Sequence, residues 1–518
     1  MSARKVILKK TSEVGLLTLI SKLLGIAREF VMARYLGAGP LSDAFSAAYA
    51  IPNSLRKIFA EGALSAAFVP SLSKELRSGG PKAIGRFMTL GFFLFEGLVI
   101  IVCLYGVYDP RTIALFCAPG FEGERLEQTV SMLRILMPFL FFVSSSSLFA
   151  GALQSIGHFF IPALSQSVMN VIFIGSLLVC LAFDLPVEYL CWFILLMGGV
   201  QLLLHVIAYF AKGLTFERVT WHEVYAFLPI LSKCILACAS MGVVEIGLII
   251  DKQFASYLPV GSPTVLSLAN RFMGIPLSVF GTAFSTVWLP HLSRTNSYAP
   301  KRNAFYLFEG IKLVLWVTIP VSLWMAFFSY DLFYTLFLSD KFSIDKVCEG
   351  ARVLRVFITG LAFFATNKVL LDVYYTLHST GIPAGIAVLT TAINIALNTL
   401  LMPYLGSSGL AWATVCATTL QTVLLCLVLR YYFGIRIYLR RTVFFLARYL
   451  SQAFILGIII GTIYYALTQG IAIFVPFGAH LLQSTLCLWC WVTPLALLYM
   501  LMLYKTRRLF GIHLYFFD

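Results

Sequence analysis

Lys22, Arg28, Arg56 and Arg271 are cations lodged inside apolar runs long enough to cross a membrane. The stretch Ser21-Lys22-Leu23-Leu24-Gly25-Ile26-Ala27-Arg28-Glu29-Phe30 alone puts two cations and one anion into a single such run. A cation near the bilayer centre costs about 2.5 to 3.5 kcal/mol even on the lenient insertion scale. Several kept in one chain therefore call for a water-filled cavity, ionic partners or an anionic cargo. The cationic excess favours the anion. Guanidinium groups grip phosphate oxygens by bidentate, charge-assisted hydrogen bonds, and several together match a diphosphate better than a single carboxylate. Covalent chemistry finds no support: the seven histidines show no HExxH or paired spacing, and there is neither a GxxxxGK phosphate loop nor a GxSxG elbow. Cys487-Leu488-Trp489-Cys490 matches CxxC but sits mid-span without a second Cys or His pair, and reads as packing. No cofactor is expected from these residues.

The helices that carry the cations have legible faces. Thr264, Ser267, Arg271, Gly274, Ser278, Thr282 and Ser285 follow one another at spacings of three or four, one helical stripe. Small-residue packing accounts for the Ser, Thr and Gly but does not call for an arginine, so the stripe reads as cavity lining. In the first span Lys22, Gly25 and Glu29 share a face, and Arg28 lies about a third of a turn from Lys22, so the two cations can bracket something wide. The second span supplies Asp43 near its outer start and then Pro52 to Gly62. There Lys57 reads as snorkelling to an interface, and Glu61 as an internal partner to a nearby cation. Lys368 and Asp372, four apart, can pair with each other and need no ligand.

These helices belong to a chain of 518 residues that is 60% apolar and only 12% charged, with a mean hydropathy of +0.89. The class is an all-α polytopic membrane protein. About fourteen spans are expected, starting near residues 11, 41, 84, 128, 158, 187, 224, 263, 305, 348, 380, 406, 443 and 479. The formal charge of +15 does not point to nucleic acid, because the cations collect in alternate loops. Lys74 to Arg86, Arg294 to Arg302, Arg430 to Arg441 and Lys505 to Arg508 are basic, whereas the loops near Glu122 to Glu127 and Asp331 to Glu349 are acid-rich. By the positive-inside rule both termini are expected in the cytoplasm. The first span is too long and too polar throughout for a removable signal peptide. Eleven scattered cysteines read as small core residues rather than a disulfide framework.

The chain is also duplicated. Val69-Pro70-Ser71-Leu72-Ser73-Lys74 resembles Leu289-Pro290-His291-Leu292-Ser293-Arg294, Ala33 to Leu36 resembles Ala255 to Leu258, Ile51-Pro52 resembles Ile275-Pro276, and Pro162 resembles Pro383. A nearly constant offset across six spans means two parallel six-helix lobes, 1–220 and 221–435, followed by two additional helices in 436–518. Such repeats place a binding site between the halves, and the two additional helices would provide an apolar groove for a lipid tail.

Ser21 to Glu29, Gly37-Ala38-Gly39 with Ser42-Asp43-Ala44-Phe45, and above all Pro52 to Gly62 continuing through Pro70, resemble the MurJ family, also called MviN. The likeness covers nearly the whole chain. It implies a lipid II flippase of bacterial peptidoglycan synthesis, within the multidrug/oligosaccharidyl-lipid/polysaccharide exporter superfamily. With it come fourteen helices around a cationic cavity and residence in the inner membrane. The family's cavity arginines fall on Arg28, Arg56 and Arg271, with Lys22 where Arg is common; Glu29, Asp43, Glu61, Ser267, Asn270 and Ser278 are expected to support or gate. Asn270 stands where an acid often precedes the helix-eight arginine. A sodium site like that of some members would fall on Asp251, Asn394, Asn398 and Thr414, with Asn398 where an acid would strengthen it. The partners implied are lipid II, membrane lipids and other cell-wall synthesis proteins. The alternatives are export of another polyprenyl-linked glycan or of an anionic drug. A membrane glycosyl- or phosphotransferase would need paired carboxylates and a metal-binding loop that the sequence does not place.

Overall fold

The computed structural model describes residues 3–58, 69–278, 303–377, 379, 381–474 and 485–515. Among them the chain is helical, with an isolated β-bridge between Ser339 and Phe342. The helices are α1 (Ala3–Leu36), α2 (Pro40–Arg56), α3 (Val69–Gly91), α4 (Gly97–Tyr108), α5 (Pro110–Cys117), α6 (Gly123–Leu136), α7 (Phe139–Ser155), α8 (Phe160–Ala182), α9 (Val187–Ala211), α10 (Trp221–Ser256) and α11 (Ser262–Pro276). There follow α12 (Asn303–Phe327), α13 (Ser329–Phe337), α14 (Ile344–Thr359), α15 (Leu361–Thr376), α16 (Gly381–Leu405), α17 (Ser407–Tyr431), α18 (Leu439–Phe474) and α19 (Thr485–Thr506). Each expected span start falls on or within a few residues of one of these, except 479, which lies outside the described residues ahead of α19.

Eight stretches among the described residues are long and apolar enough to cross a bilayer, or nine when α14 and α15, bent by 43°, count as one span. Helices α1, α2, α10 and α11 are not in that set. They carry Lys22, Arg28, Arg56, Asp251 and Arg271, and the described parts of α2 and α11 are 17 and 15 residues long.

The duplication is visible in helix starts. α2 and α11 begin at 40 and 262, α5 and α13 at 110 and 329, α6 and α14 at 123 and 344, α7 and α15 at 139 and 361, α8 and α16 at 160 and 381, α9 and α17 at 187 and 407, offsets of 219 to 222. Both α2 and α11 follow a turn with a left-handed glycine, Gly37 at φ 68° and Gly261 at φ 80°, and both run into a wide π turn, at 57–58 and 277–278. A side chain at Gly37 would also collide with the Lys341 backbone. Pro290 and the rest of the second Pro-Xaa-Leu-Ser motif lie outside the described residues.

The acid-rich stretches expected as loops are helical over most of their length, with a turn at 338–343 that holds Asp340. Glu124, Asp331 and Asp345 occupy the first turns of α6, α13 and α14, where a carboxylate complements the helix dipole. Asp109 caps α5 in the same way: its side chain accepts from the Thr112 N–H at 3.1 Å, and the hydrogen bonding from Thr112 holds its carboxyl below the usual carboxylate range.

By contacts the chain divides into two compact units, Met1–Thr264 with Ser339–Ser343, and Val265–Leu338 with Ile344–Asp518. This division differs from the repeat boundary near 220, which is set by sequence offset, because α10 packs with the first unit. In the first unit α1 lies on α8, α2 on α6 and α7 on α9, around cores that include Phe45, Met132, Phe139 and Ile194, and Phe87, Phe149 and Tyr209. In the second unit α12 packs on α15, α16 on α17, and α18 on both α12 and α19. There Lys312 and Glu309 form a buried pair at 2.8 Å, and the Lys312 Nζ also donates to the His513 carbonyl at 2.6 Å, tying the C-terminal segment to α12. The described cysteines are free thiols, five of them buried.

Candidate anion-binding site

Arg28 projects from α1 onto α8 and is held there on three sides. Its Nη2 meets Glu29 Oε1 at 2.8 Å, its Nη1 donates to Asn170 Oδ1 at 3.3 Å, and its guanidinium lies 5.0 Å from the centre of the Phe173 ring. The Asn170 amide nitrogen donates in turn to the Ser21 carbonyl at 3.0 Å and to the Ser21 hydroxyl at 3.1 Å, and Ser167 donates to the Leu17 carbonyl at 3.3 Å. Ser167, Asn170 and Phe173 recur every three residues, one face of α8. Phe173 also meets the Tyr49 ring of α2 edge-on at 6.2 Å, and Tyr49 stacks on Phe45. The arginine's plane and direction are thus set before any ligand arrives, while its side chain stays 25% exposed. Preorganisation of this kind suits bidentate anion capture, since less freedom is lost on binding.

Arg56, at the last turn of α2, donates from Nε to Asn53 Oδ1 at 3.1 Å, one helical turn back. Lys57 does not snorkel: its Nζ pairs with Glu245 Oε1 of α10 at 3.1 Å, and the glutamate is buried. A buried carboxylate needs a cation, and Lys57 supplies one. Lys22 is exposed on α1. Glu61, expected to support the site, lies outside the described residues.

On α11 the packed face is Val265, Leu268, Ala269, Phe272 and Met273, with Phe272 against Phe333 and Phe337. Arg271 and Asn270 are exposed, Ser267 and Ser278 are half-buried, and nothing lies within 4 Å of a side chain placed at Gly274. From Ser267 to Ser278 the polar stripe therefore stays off the packed face, whereas Thr264 at its start is buried against Ser42 and Asp43; Thr282 and Ser285 fall outside the described residues. Ser278 donates to the Ile275 carbonyl at 2.9 Å.

Asp43 is fully engaged. Its Oδ2 accepts from the Gly261 N–H at 2.7 Å, and its Oδ1 accepts from the Thr264 N–H at 3.1 Å and the Thr264 hydroxyl at 2.7 Å. It thus caps the start of α11, where a carboxylate is favoured by free N–H groups and the helix dipole. Arg125 approaches the same carboxylate at 3.4 Å, donates to the Ser256 carbonyl at 2.9 Å and lies over the Phe121 ring. Ser42 and Thr264 hydroxyls meet at 3.0 Å.

Of the expected sodium ligands, Asn394 and Asn398 are buried on α16 and joined by a 2.8 Å hydrogen bond, and the Thr414 hydroxyl donates to the Leu410 carbonyl of its own helix. Asp251 is on α10, in the other unit. Asn170, Phe173, Glu245 and Arg125 were not singled out by sequence. Asn170 and Glu245 carried a usable signal: Glu245 is an acid within an apolar stretch of α10, and Asn170 continues the polar face that Ser167 begins on α8.

The family model described as lipid II flippase MurJ matches residues 32–481. A protein of Rhizobium tropici named probable lipid II flippase MurJ is 33% identical over 429 residues, 80% of each chain. The lipid II flippase MurJ of Burkholderia cenocepacia is 29% identical over 428 residues, 80% of this chain and 82% of that one. Among solved structures, a lipid II flippase MurJ in an inward closed conformation matches with a TM-score of 0.78 at 21% identity, covering 96% of this chain and 99% of that one. An inward-facing multidrug resistance MATE transporter of the MOP superfamily matches at 0.66 and 16% identity, over 79% and 93%. The chain belongs to the MurJ lipid II flippase family.

Proposed function

We propose that the protein carries lipid II from the cytoplasmic to the outer leaflet of the bacterial inner membrane by alternating access, without covalent chemistry. The observation that carries this reading is the Arg28 guanidinium, fixed by Glu29, Asn170 and Phe173 within a membrane helix of a MurJ-family chain. Arg28, Arg56 and Arg271, with Lys22, supply donors for a diphosphate, and the polyprenyl tail stays in lipid. Support for a place for the tail comes from an apolar cavity of about 320 Å³ lined by Trp324, Phe327, Gly457, Gly461, Tyr464 and Tyr499 of α12, α18 and α19.

In this reading the lobes are 1–220 and 221–435, with 436–518 forming the tail groove, and both termini are cytoplasmic. The uncharged turns before α2 and α11 are then external, and Asp43 seals that end when the carrier faces inward. Sodium coupling through Asp251, Asn394, Asn398 and Thr414 belongs to the same proposal. The test is purified protein in liposomes containing lipid II labelled in one leaflet: appearance of label in the other leaflet supports lipid II, and movement of another polyprenyl-linked glycan in its place supports the broader exporter reading.

A further inference from the structure

A five-residue π turn, Phe92–Glu96, joins α3 to α4 and places Glu96 at zero exposure in the middle of the third span. Wide turns of this kind are rare and frequently accompany function. The Ser144 hydroxyl of α7 donates to Glu96 Oε1 at 2.7 Å. The other oxygen, Oε2, has no hydrogen-bond partner among the described residues, and neither has the Ser145 hydroxyl, which is also fully buried and close enough to interact with the carboxyl.

Among the described residues no counter-charge is at hand. α7 carries no titratable side chain at all. On α4 the titratable groups are Cys103, whose thiol donates to the Met137 carbonyl, and Tyr105 and Tyr108, which are exposed. The nearest cation on α3 is Arg86, ten residues before Glu96 or about 15 Å of helix, and its guanidinium pairs with Glu223. An ionised carboxylate in this setting would be buried without a cation and with one hydroxyl to solvate it, an arrangement that proteins avoid by neutralising the group. One proton on Oε2 resolves both unpartnered atoms together, because the acid O–H then donates to the Ser145 oxygen. The architecture itself does not demand the acid: at the repeat offset the second half has Trp316, Val317 and Thr318.

We propose that Glu96 is a proton-binding site of the first unit, its carboxylic acid held by Ser144 and Ser145 across the π turn. Loss of that proton puts a bare charge between α4 and α7, so ionisation and separation of those helices go together. The site is independent of the cargo assigned above and gives the carrier a proton-linked element separate from the cationic site.

The direct test is infrared difference spectroscopy of membranes at pH 7, wild type minus Glu96→Gln. A carboxylic-acid carbonyl band is expected in the difference, moving to higher frequency in Ser145→Ala, which keeps the acid and removes its acceptor. Carboxylate bands in the difference would overturn the proposal, as would a carbonyl band unmoved in Ser145→Ala. Amide hydrogen exchange of α4 and α7 supplies the second readout. Corrected for intrinsic rates, it should rise at alkaline pH in the wild type and not in Glu96→Gln; equal pH dependence in the two proteins would overturn the link between proton and packing.

Discussion

Asp43 and Thr264, 221 residues apart, are joined twice: one carboxylate oxygen takes both the backbone N–H and the hydroxyl of the threonine. The second oxygen takes the Gly261 N–H, so the carboxylate occupies the N-terminal end of α11 and the turn before it. Asp43→Asn should keep part of the geometry but lose the charge that the helix end and Arg125 require. We expect destabilisation of about 1 to 2 kcal/mol, read as a lowered melting temperature in detergent. Single cysteines near Gly39 and Ser262 should become more reactive to an external reagent. Unchanged melting and reactivity would mean that the cap is dispensable.

Asn170 and Phe173 aim Arg28 rather than add charge. Asn170→Ala removes a hydrogen bond to a charged donor, an interaction of about 1.5 to 3 kcal/mol, so flipping should fall by roughly ten- to a hundredfold with normal membrane levels. Phe173→Leu, which keeps bulk and loses the ring face, should fall less, about two- to tenfold. Equal activity of Asn170→Ala and wild type in a transport assay would remove the positioning role.

Charge asymmetry predicts sidedness. Lys82→Cys and Arg436→Cys should be protected from a membrane-impermeant thiol reagent added outside, and Glu124→Cys and Asp340→Cys should react, all four positions being exposed. Labelling in the reverse pattern would invert the topology.

Voltage should bias the empty carrier. One elementary charge moved fully across the potential changes the energy by about 2.3 kcal/mol per 100 mV, so partial movement of several cations can decide which face is open. An inside-negative potential draws the cationic helices toward the cytoplasm and resets the carrier inward. Dissipating the potential at fixed sodium gradient should shift cysteine accessibility outward and stop turnover; no change in either would place the driving force elsewhere, with Asp251 the next residue to examine.

The repeat, the helix positions and the cations were legible because a charge or a proline stands out against hydrocarbon-like sequence, and because the offset of about 220 survives in helix starts. Partners were not legible. Asn170 lies 142 residues from Arg28, and Glu245 lies 188 from Lys57, so no local spacing announces either contact. Lys57 was read from its own helix alone, where snorkelling is the natural expectation. The acidic stretches at 122–127 and 331–349 read as loops throughout, though only 338–343 is a turn in the second, because carboxylates at helix N-termini have the same composition as polar turns.

The central claim is that the membrane-embedded arginines bind the cargo's diphosphate. It is tested most directly by lipid II flipping in liposomes with Arg28→Ala, Arg56→Ala and Arg271→Ala beside their Arg→Lys counterparts, all at matched insertion. Flipping should be abolished in each alanine variant and restored only partly by lysine, which keeps the charge but not the bidentate fork. Full activity of the three alanine variants would contradict it.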